Sequence, residues 1–311
     1  MEAIKEVVSV SIGSSARDHE VVIDLLGEQF KIRREGYNGD FEKAAARFAE
    51  LDGKVAAMGM GGIDGYLRAD GRKYFFRDAK RLVKGVHVTP VVDGSGLKGP
   101  VEGSTIEYLQ RVHGLDFAGK KVLMTSAVDR WGMAEALHNA GTEEWFGDLF
   151  YALDLPFIIK KWSSLKTLVR VLTPIVVQLP FSLLYPTGQS QDVDPKPNAK
   201  AAELYEWADI IGGDWIYVRK YMPNDMRGKW IITNTTTAAD VALCRERGVE
   251  LLVTSTPRLE GRSFGTNVIE ATMVALDSAS GELSPERYRE LLDSVGFTPD
   301  VRWLQQENAT L

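Results

Sequence analysis

KKVLMTSAVDRWGMAEALHNAG, running from Lys120 to Gly141, is the stretch whose reading decides the fold. Val122, Leu123 and Met124 make a short apolar run after two lysines, Thr125 and Ser126 open a polar loop, and Gly132 to Asn139 reads as a helix closed by Gly141. Strand, tight crossing and helix in that order form one unit of an open parallel sheet. Such a unit aims the helix N-terminus, with its unpaired N–H groups, at the carboxyl edge of the strands, where anionic ligands bind. Ser126, Ala127, Arg130 and Gly132 are therefore the candidate cofactor-binding residues of the crossing. The dinucleotide fingerprint asks for several glycines, whereas the loop Ser126-Ala127-Val128-Asp129-Arg130-Trp131-Gly132 carries one. Asp129 would repel a phosphate, Arg130 would attract one, and Trp131 is bulky where backbone usually comes close. On these residues a fold-only crossing and a cofactor-binding one both stay open.

The chain around this unit has 311 residues, enough for two domains of ordinary size, and 44% of them are hydrophobic, as a globular core requires. A net charge of −6 argues against a general nucleic-acid binder, which needs a concentrated basic surface. One cysteine, Cys244, excludes an intrachain disulfide and a cysteine-based zinc site, and no metal is expected. The opening MEAIKEVVSVSIGSS lacks a charged segment followed by a long apolar one, so a cytoplasmic protein is the expectation.

Upstream of the crossing, Val7 to Ile12 reads as a strand, and Val21 to Leu26 and Phe30 to Arg33 as a hairpin or successive strands around Gly27. Phe41 to Leu51 has helical spacing, with Asp40 as N-cap. Val55 to Met58 is a buried strand that ends in Gly59-Met60-Gly61-Gly62-Ile63-Asp64-Gly65, where glycines allow either a tight turn or close approach to a ligand. Gly61, Gly62 and Asp64 are substrate-binding candidates on the second reading. Tyr66 to Phe76 reads as a hairpin, Asp78 to Lys84 as a short basic helix, and Val86 to Val92 as a further strand. Asp93-Gly94-Ser95-Gly96-Leu97-Lys98 follows as a second glycine loop holding an acid, a hydroxyl and a lysine. Such a cluster polarises a hydroxyl or carbonyl, with Lys98 as the proton donor, Asp93 holding its charge and Ser95 touching the substrate.

Downstream, Phe146 to Leu153 supplies a second parallel strand, after which Asp148 or Asp154 could hold a ribose hydroxyl. Lys160 to Tyr185 joins basic residues to a long apolar face broken by Pro174 and Pro180; a buried or dimer-forming helix pair is the first reading and membrane contact the minority one. Pro186 to Pro197 reads as a polar, proline-rich loop. The strands expected at Asp209 to Gly213, Lys229 to Thr233 and Leu251 to Val253 end in polar clusters. Asn234, Thr235 and Thr236 follow the second, and Thr254, Ser255 and Thr256 the third, as the carboxyl edge of a ligand-binding sheet would have it. Asn234, Thr235, Thr236, Thr254 and Thr256 join the cofactor candidates, with Arg258, Arg262, Ser263 and Asn267 beside them. Thr237 caps a helix from Ala238 to Arg247, and Asn267 to Leu276 and Ser284 to Ser294 are further helices.

The segments GVHVTPVVDGSGLK and FAGKKVLMTSAVDRWGMAEALHNAG resemble the shikimate and quinate dehydrogenases, whose substrate domain ends in a Val-Thr strand followed by a lysine and whose Rossmann domain opens with Gly-Lys-Lys-Val-Leu. AMGMGGID, TPVVDGSGLK, PFSLLYPTG and RLEGRSFGTNVIEA are similar to a group of bacterial proteins described as quinate 5-dehydrogenases, over nearly the full chain. The resemblance implies an α/β protein with an N-terminal α/β substrate domain over residues 1–117, a Rossmann-like doubly wound domain over 118–280, and a C-terminal helix over 281–311 that packs back. It implies hydride transfer between NAD or NADP and a quinate- or shikimate-like hydroxylated small molecule. Lys98 matches the family's lysine, displaced by the extra Asp-Gly-Ser-Gly residues, and Asp116 is the acid that Tyr108 to Phe117 offers for the family's aspartate. The family's serine-rich substrate motif is echoed by Ser11, Gly13, Ser14 and Ser15, so Ser14, Ser15 and Asn267 join the substrate candidates. A homo-oligomer is expected. The alternatives are a non-redox binding or regulatory protein on the same fold, and an enzyme acting on a lipid-like substrate at a membrane surface.

Overall fold

The computed structural model describes residues 4–180, 195–256 and 265–305, together with the backbone of 258–259 and 262–263. It is an α/β protein with two parallel-rich sheets. The chain divides into two compact units, one of Met1–Pro100, Leu172–Gln191 and Phe264–Phe297, the other of Val101–Val171, Asp192–Ser263 and Thr298–Leu311.

The first unit opens with β1 (Lys5–Ser11), β2 (His19–Leu25) and β3 (Glu28–Gly36), followed by α1 (Phe41–Leu51) and β4 (Ala57–Gly61). A small hairpin of β5 (Tyr66–Ala69) and β6 (Arg72–Phe75), α2 (Arg77–Leu82) and β7 (Val91–Val92) complete its early part. Its sheet has the order β2-β3-β1-β4-β7, parallel except for β2, which returns on β3 through Leu26 and Gly27, both at positive φ. Val7 to Ser11 are buried at every position, the pattern of a central parallel strand covered on both faces. Asp40 caps α1 by accepting from the Lys43 N–H at 3.1 Å, as its place before the helical period predicts.

Val86 to Val92, expected as one strand, pairs only at Val91 and Val92. The Asp52 carboxylate accepts the N–H groups of His87, Val88 and Thr89 at 2.8 to 2.9 Å, and these side-chain acceptors replace a strand ladder. The glycine loop after it is also shorter than expected. Ser95 already begins α3 (Ser95–His113), so Lys98 stands on a helix.

The second unit contains β8 (Lys121–Met124), α4 (Trp131–Asn139), β9 (Glu143–Phe146), α5 (Asp148–Leu153), α6 (Trp162–Val176), α7 (Ala199–Trp207), β10 (Ile210–Gly212), α8 (Trp215–Lys220), β11 (Trp230–Thr233), α9 (Ala238–Glu246) and β12 (Leu251–Thr254). Its strands lie in the order β9-β8-β10-β11-β12, all parallel. The order reverses between β8 and β10, which makes that pair the topological switch point of a doubly wound sheet. Asp148, expected at a strand end, opens α5. Trp215 to Lys220, which had no clear element in the sequence, is a short helix capped by Asp214. Of the basic apolar segment, α6 is described, with Val171, Ile175 and Leu179 exposed four residues apart; residues 181–185 and most of the proline-rich loop lie outside the described residues. No helix among the described residues is long and apolar enough to cross a membrane.

Beyond the two-residue strands β13 (Arg258–Leu259) and β14 (Arg262–Ser263), α10 (Thr266–Leu276) and α11 (Pro285–Ser294) belong to the first unit. Helix α10 packs on β1 and β4. The boundaries at 117 and 280 expected from sequence therefore differ from the contact units. A helix that follows β12 reads as the next crossover of the second sheet, but α10 is buried from Val268 to Ala275 against the first. β15 (Asp300–Trp303) returns to the second sheet as an antiparallel edge strand on β12.

Candidate functional site

The carboxyl ends of β1, β4 and β7 bring together Ser11 to Gly13, Gly61 to Asp64 and Asp93 to Lys98. Lys98 Nζ donates to Asp64 Oδ2 at 2.9 Å, with the two side chains 12% and 18% exposed. Asp93 is half-buried beside them and accepts from the Gly65 N–H at 2.6 Å. The Ser95 hydroxyl lies between the Asp93 carboxyl and the Tyr66 carbonyl. One hydroxyl hydrogen serves only one of those acceptors at a time. Burial raises Asp93 above the usual carboxylate range, against the opposing pull of Ser95, Gly65 and the Lys98 charge.

Behind Asp93 stands an acid that the sequence did not single out. Glu270 on α10 is 1% exposed and accepts from the Gly94 N–H at 2.5 Å and from the Tyr288 hydroxyl at 2.6 Å. Burial first, and the Asp93 charge second, push it up to about 8. Its signal was present as a lone acid inside the apolar run VIEATMVAL.

Other candidates in this unit have structural partners. Ser14 accepts from the Ala16 N–H and caps a single 3-10 turn, Ser15 bonds Asn38, and Ser11 accepts from the Gly13 N–H and from Arg34. Asn267 donates to Ser9 Oγ at 2.9 Å, and its backbone presses on the glycine strand β4. A Cβ at Gly59 would stand 2.9 Å from the Asn267 carbonyl, and one at Gly61 2.9 Å from Ser11 Cβ. Close approach of α10 at Gly59, and of Ser11 together with Asn267 at Gly61, thus accounts for those two glycines without a ligand. Gly62 likewise packs on Ile12 and Gly13. Asp116, expected as the partner of Lys98, lies exposed in a turn of the second unit and accepts from the Ala118 N–H; the carboxylate that Lys98 holds is Asp64.

At the switch point of the second unit, the residues after β8 are turned into the protein. Ala127 is fully buried, and Ser126 Oγ accepts from the Asp214 N–H at 2.9 Å. The Arg130 guanidinium faces three carboxylates: Glu102 at 3.2 Å, Asp129 at 3.1 Å and Asp214, which it also bonds. The second oxygen of Glu102 accepts from the Met133 N–H at 3.2 Å, in the first turn of α4. Gly132 lies inside that turn, and Trp131, 6% exposed, lies tilted against Trp162 with ring centroids 4.9 Å apart. Asn234 bonds Asp214 and accepts from the Trp215 N–H; Thr254, Ser255 and Thr256 are buried, while Thr235 and Thr236 are half-buried. The side chains of Arg258, Arg262 and Ser263 lie outside the described residues.

A dinucleotide pyrophosphate needs unpaired N–H groups at this helix terminus and glycine backbone around it. Here a carboxylate of the chain takes the terminus, and three acids surround one guanidinium. The residues present do not fit a pyrophosphate. The ribose position is different. Asp148 is buried, accepts from the Val128 N–H at 2.7 Å, and has its second oxygen buried without a hydrogen-bond partner; burial pushes it up to about 6. Asp154 is exposed and paired with Lys220. Among the described residues no group of three His, Cys, Asp or Glu could hold a metal ion. Cys244 is buried and its thiol is pushed up to about 12, which makes it packing and not a nucleophile.

A family model described as Domain of unknown function (DUF8754) matches residues 96–304, and one described as Domain of unknown function (DUF8753) matches residues 6–93. No curated protein matches the chain. Among solved structures, L-tryptophan dehydrogenase from Nostoc punctiforme is 12% identical with a TM-score of 0.37, over 95% of this chain and 84% of that one. NAD-dependent malic enzyme from Thermotoga maritima is 12% identical with a TM-score of 0.39, over 94% and 84%. GanP, a glucose-galactose binding protein from Geobacillus stearothermophilus, is 11% identical with a TM-score of 0.37, over 98% and 99%. Dehydrogenases and a sugar-binding protein match equally weakly, and the likeness carries nothing about activity.

Proposed function

Because the chain belongs to the family described as domain of unknown function DUF8754, a description that assigns no activity, we propose a function from the geometry of the first unit: it binds a small hydroxylated molecule at the carboxyl ends of β1, β4 and β7. Lys98 exchanges a proton with a hydroxyl or carbonyl of that molecule, and Asp64 faces its ammonium. The observation that carries this reading is the 2.9 Å Lys98–Asp64 pair, drawn largely out of water at the strand ends. Acid–base groups gather in such places because a reduced dielectric strengthens their action on a bound dipole. An ammonium donates and a carboxylate accepts, and a polyol supplies both counterparts.

The redox reading, with NAD or NADP and a quinate- or shikimate-like substrate, rests on the sequence resemblance. The Glu102 carboxylate on the Met133 N–H counts against it. The unpartnered oxygen of Asp148, just after the second strand, is what favours a ribose hydroxyl there. Binding with acid–base chemistry and no dinucleotide is therefore the first reading, and the dehydrogenase the second.

Thermal unfolding with quinate, shikimate or inositol, each with and without NAD or NADP, separates them. A polyol at ~100 times its Kd adds about 2.7 kcal/mol of stability. Protection by a polyol alone in the native protein, lost in Lys98→Met, is expected. Protection by a nicotinamide cofactor alone would revive the dehydrogenase, and no polyol shift at all would retire the site.

A further inference from the structure

Within the buried run of α10 from Val268 to Ala275, Glu270 is the acid, and an acid there is costly unless its oxygens are engaged. Both are: Oε2 accepts the Gly94 N–H at 2.5 Å and Oε1 the Tyr288 hydroxyl at 2.6 Å. Gly94 has a φ of +97°, a conformation that side-chain-bearing residues rarely adopt, and a Cβ there would lie 2.8 Å from the Asn267 nitrogen. Its carbonyl accepts the N–H groups of Leu97 and Lys98 at 3.2 and 3.1 Å. Gly94 is thus held at both of its polar groups, by Glu270 on one side and by the turn that carries Lys98 on the other. Position 96 is confined as well, since a Cβ there would run into the Glu270 carboxyl and into Glu282.

We propose that Glu270 is the positioning residue for Lys98: its carboxyl clamps Gly94 in the left-handed conformation that starts α3 and thereby sets where the Lys98 ammonium stands beside Asp64. The inference rests on reading Lys98 as the working group, but the clamp is measured without any ligand. At neutral pH the clamp is a protonated acid, because burial and the Asp93 charge push Glu270 up to about 8. The groups that face it and Asp93 are Tyr288 on α11, Glu282 before α11, Tyr66 on β5 and Lys98 on α3, with Arg68 and Lys73 neutralising Glu282. Below that pH an opening that lets water reach Glu270 releases its proton, so the clamp opens more readily as the pH rises towards 8.

Amide hydrogen exchange at Gly94, Leu97 and Lys98 tests this directly. Removing a buried acceptor costs about 1–3 kcal/mol, so Glu270→Ala speeds exchange there about 5- to 150-fold. Glu270→Gln, which mimics the neutral acid, keeps exchange near the native rate at pH 5, and Tyr288→Phe gives an intermediate value while preserving the packing. In the native protein, exchange normalised to the intrinsic rate rises as the pH climbs from 5 towards 8 and levels off above it, and in Glu270→Gln it stays flat. Polyol protection follows the same order across the variants. If polyols never bind but the exchange pattern holds, the ligand reading fails and the clamp stands. Unchanged exchange at these amides in Glu270→Ala, Glu270→Gln and Tyr288→Phe alike overturns the clamp.

Discussion

Lys98 and Asp64 meet within one turn of a helix start, where the sequence placed a lysine but chose a different acid for it. Replacing Lys98 by Met leaves the Asp64 carboxylate, 18% exposed, without that donor. A stability loss of about 1–3 kcal/mol in urea unfolding is expected, together with loss of polyol protection. Glu270 gives a separate prediction with a definite sign. Its folded-state pKa of about 8 lies above an ordinary glutamate value of ~4.3. Between those limits the folded chain keeps a proton that the unfolded chain has released, so the stability it supports is full at low pH and is lost as pH rises towards 8. Glu270→Gln has no such proton to lose. Native protein and variant are expected to match near pH 4.5 and to separate steadily above it, the native protein falling by up to about 1.4 kcal/mol per pH unit. Parallel urea midpoints from pH 5 to pH 8 would contradict this.

At the scale of single elements, helix α9 is the case where spacing alone was enough. Thr237 accepts from the Asp240 N–H while Asp240 accepts from the Thr237 N–H, a capping box visible as a threonine three residues ahead of an acid. Thr237→Ala is expected to cost about 1 kcal/mol in chemical denaturation. The crossing from β8 to α4 was legible as strand, loop and helix, because its apolar periods change there. What occupies its helix terminus was not legible. Glu102 lies 31 residues upstream of Met133, and Glu270 lies 176 residues downstream of Gly94. No local period reports pairs so far apart. Arg130→Met would leave Glu102, Asp129 and Asp214 facing one another in the interior, a loss of about 3–5 kcal/mol measured by urea unfolding. Glu102→Gln keeps the guanidinium matched by two acids and is expected to cost less.

At the scale of the whole molecule, alternating strands and helices gave the α/β class, but not the way the chain is shared between its two sheets. Helix α10 follows β12 in sequence and yet covers β1 and β4, while β15 goes back to β12. A fragment ending at residue 117 lacks α10, so Ser9, Gly59 and Gly61 lose the neighbour that covers them, and it is expected to show no dispersed amide spectrum by NMR. That shared wiring also sets an order of events during synthesis. The ribosome must deliver Thr266–Leu276 before the earliest strands acquire their lid, and Asp300–Trp303 before the other sheet gains its last edge. Nascent β1 and β4 therefore wait for a segment made some two hundred residues later, and a nonsense lesion ahead of Thr266 strips them of it.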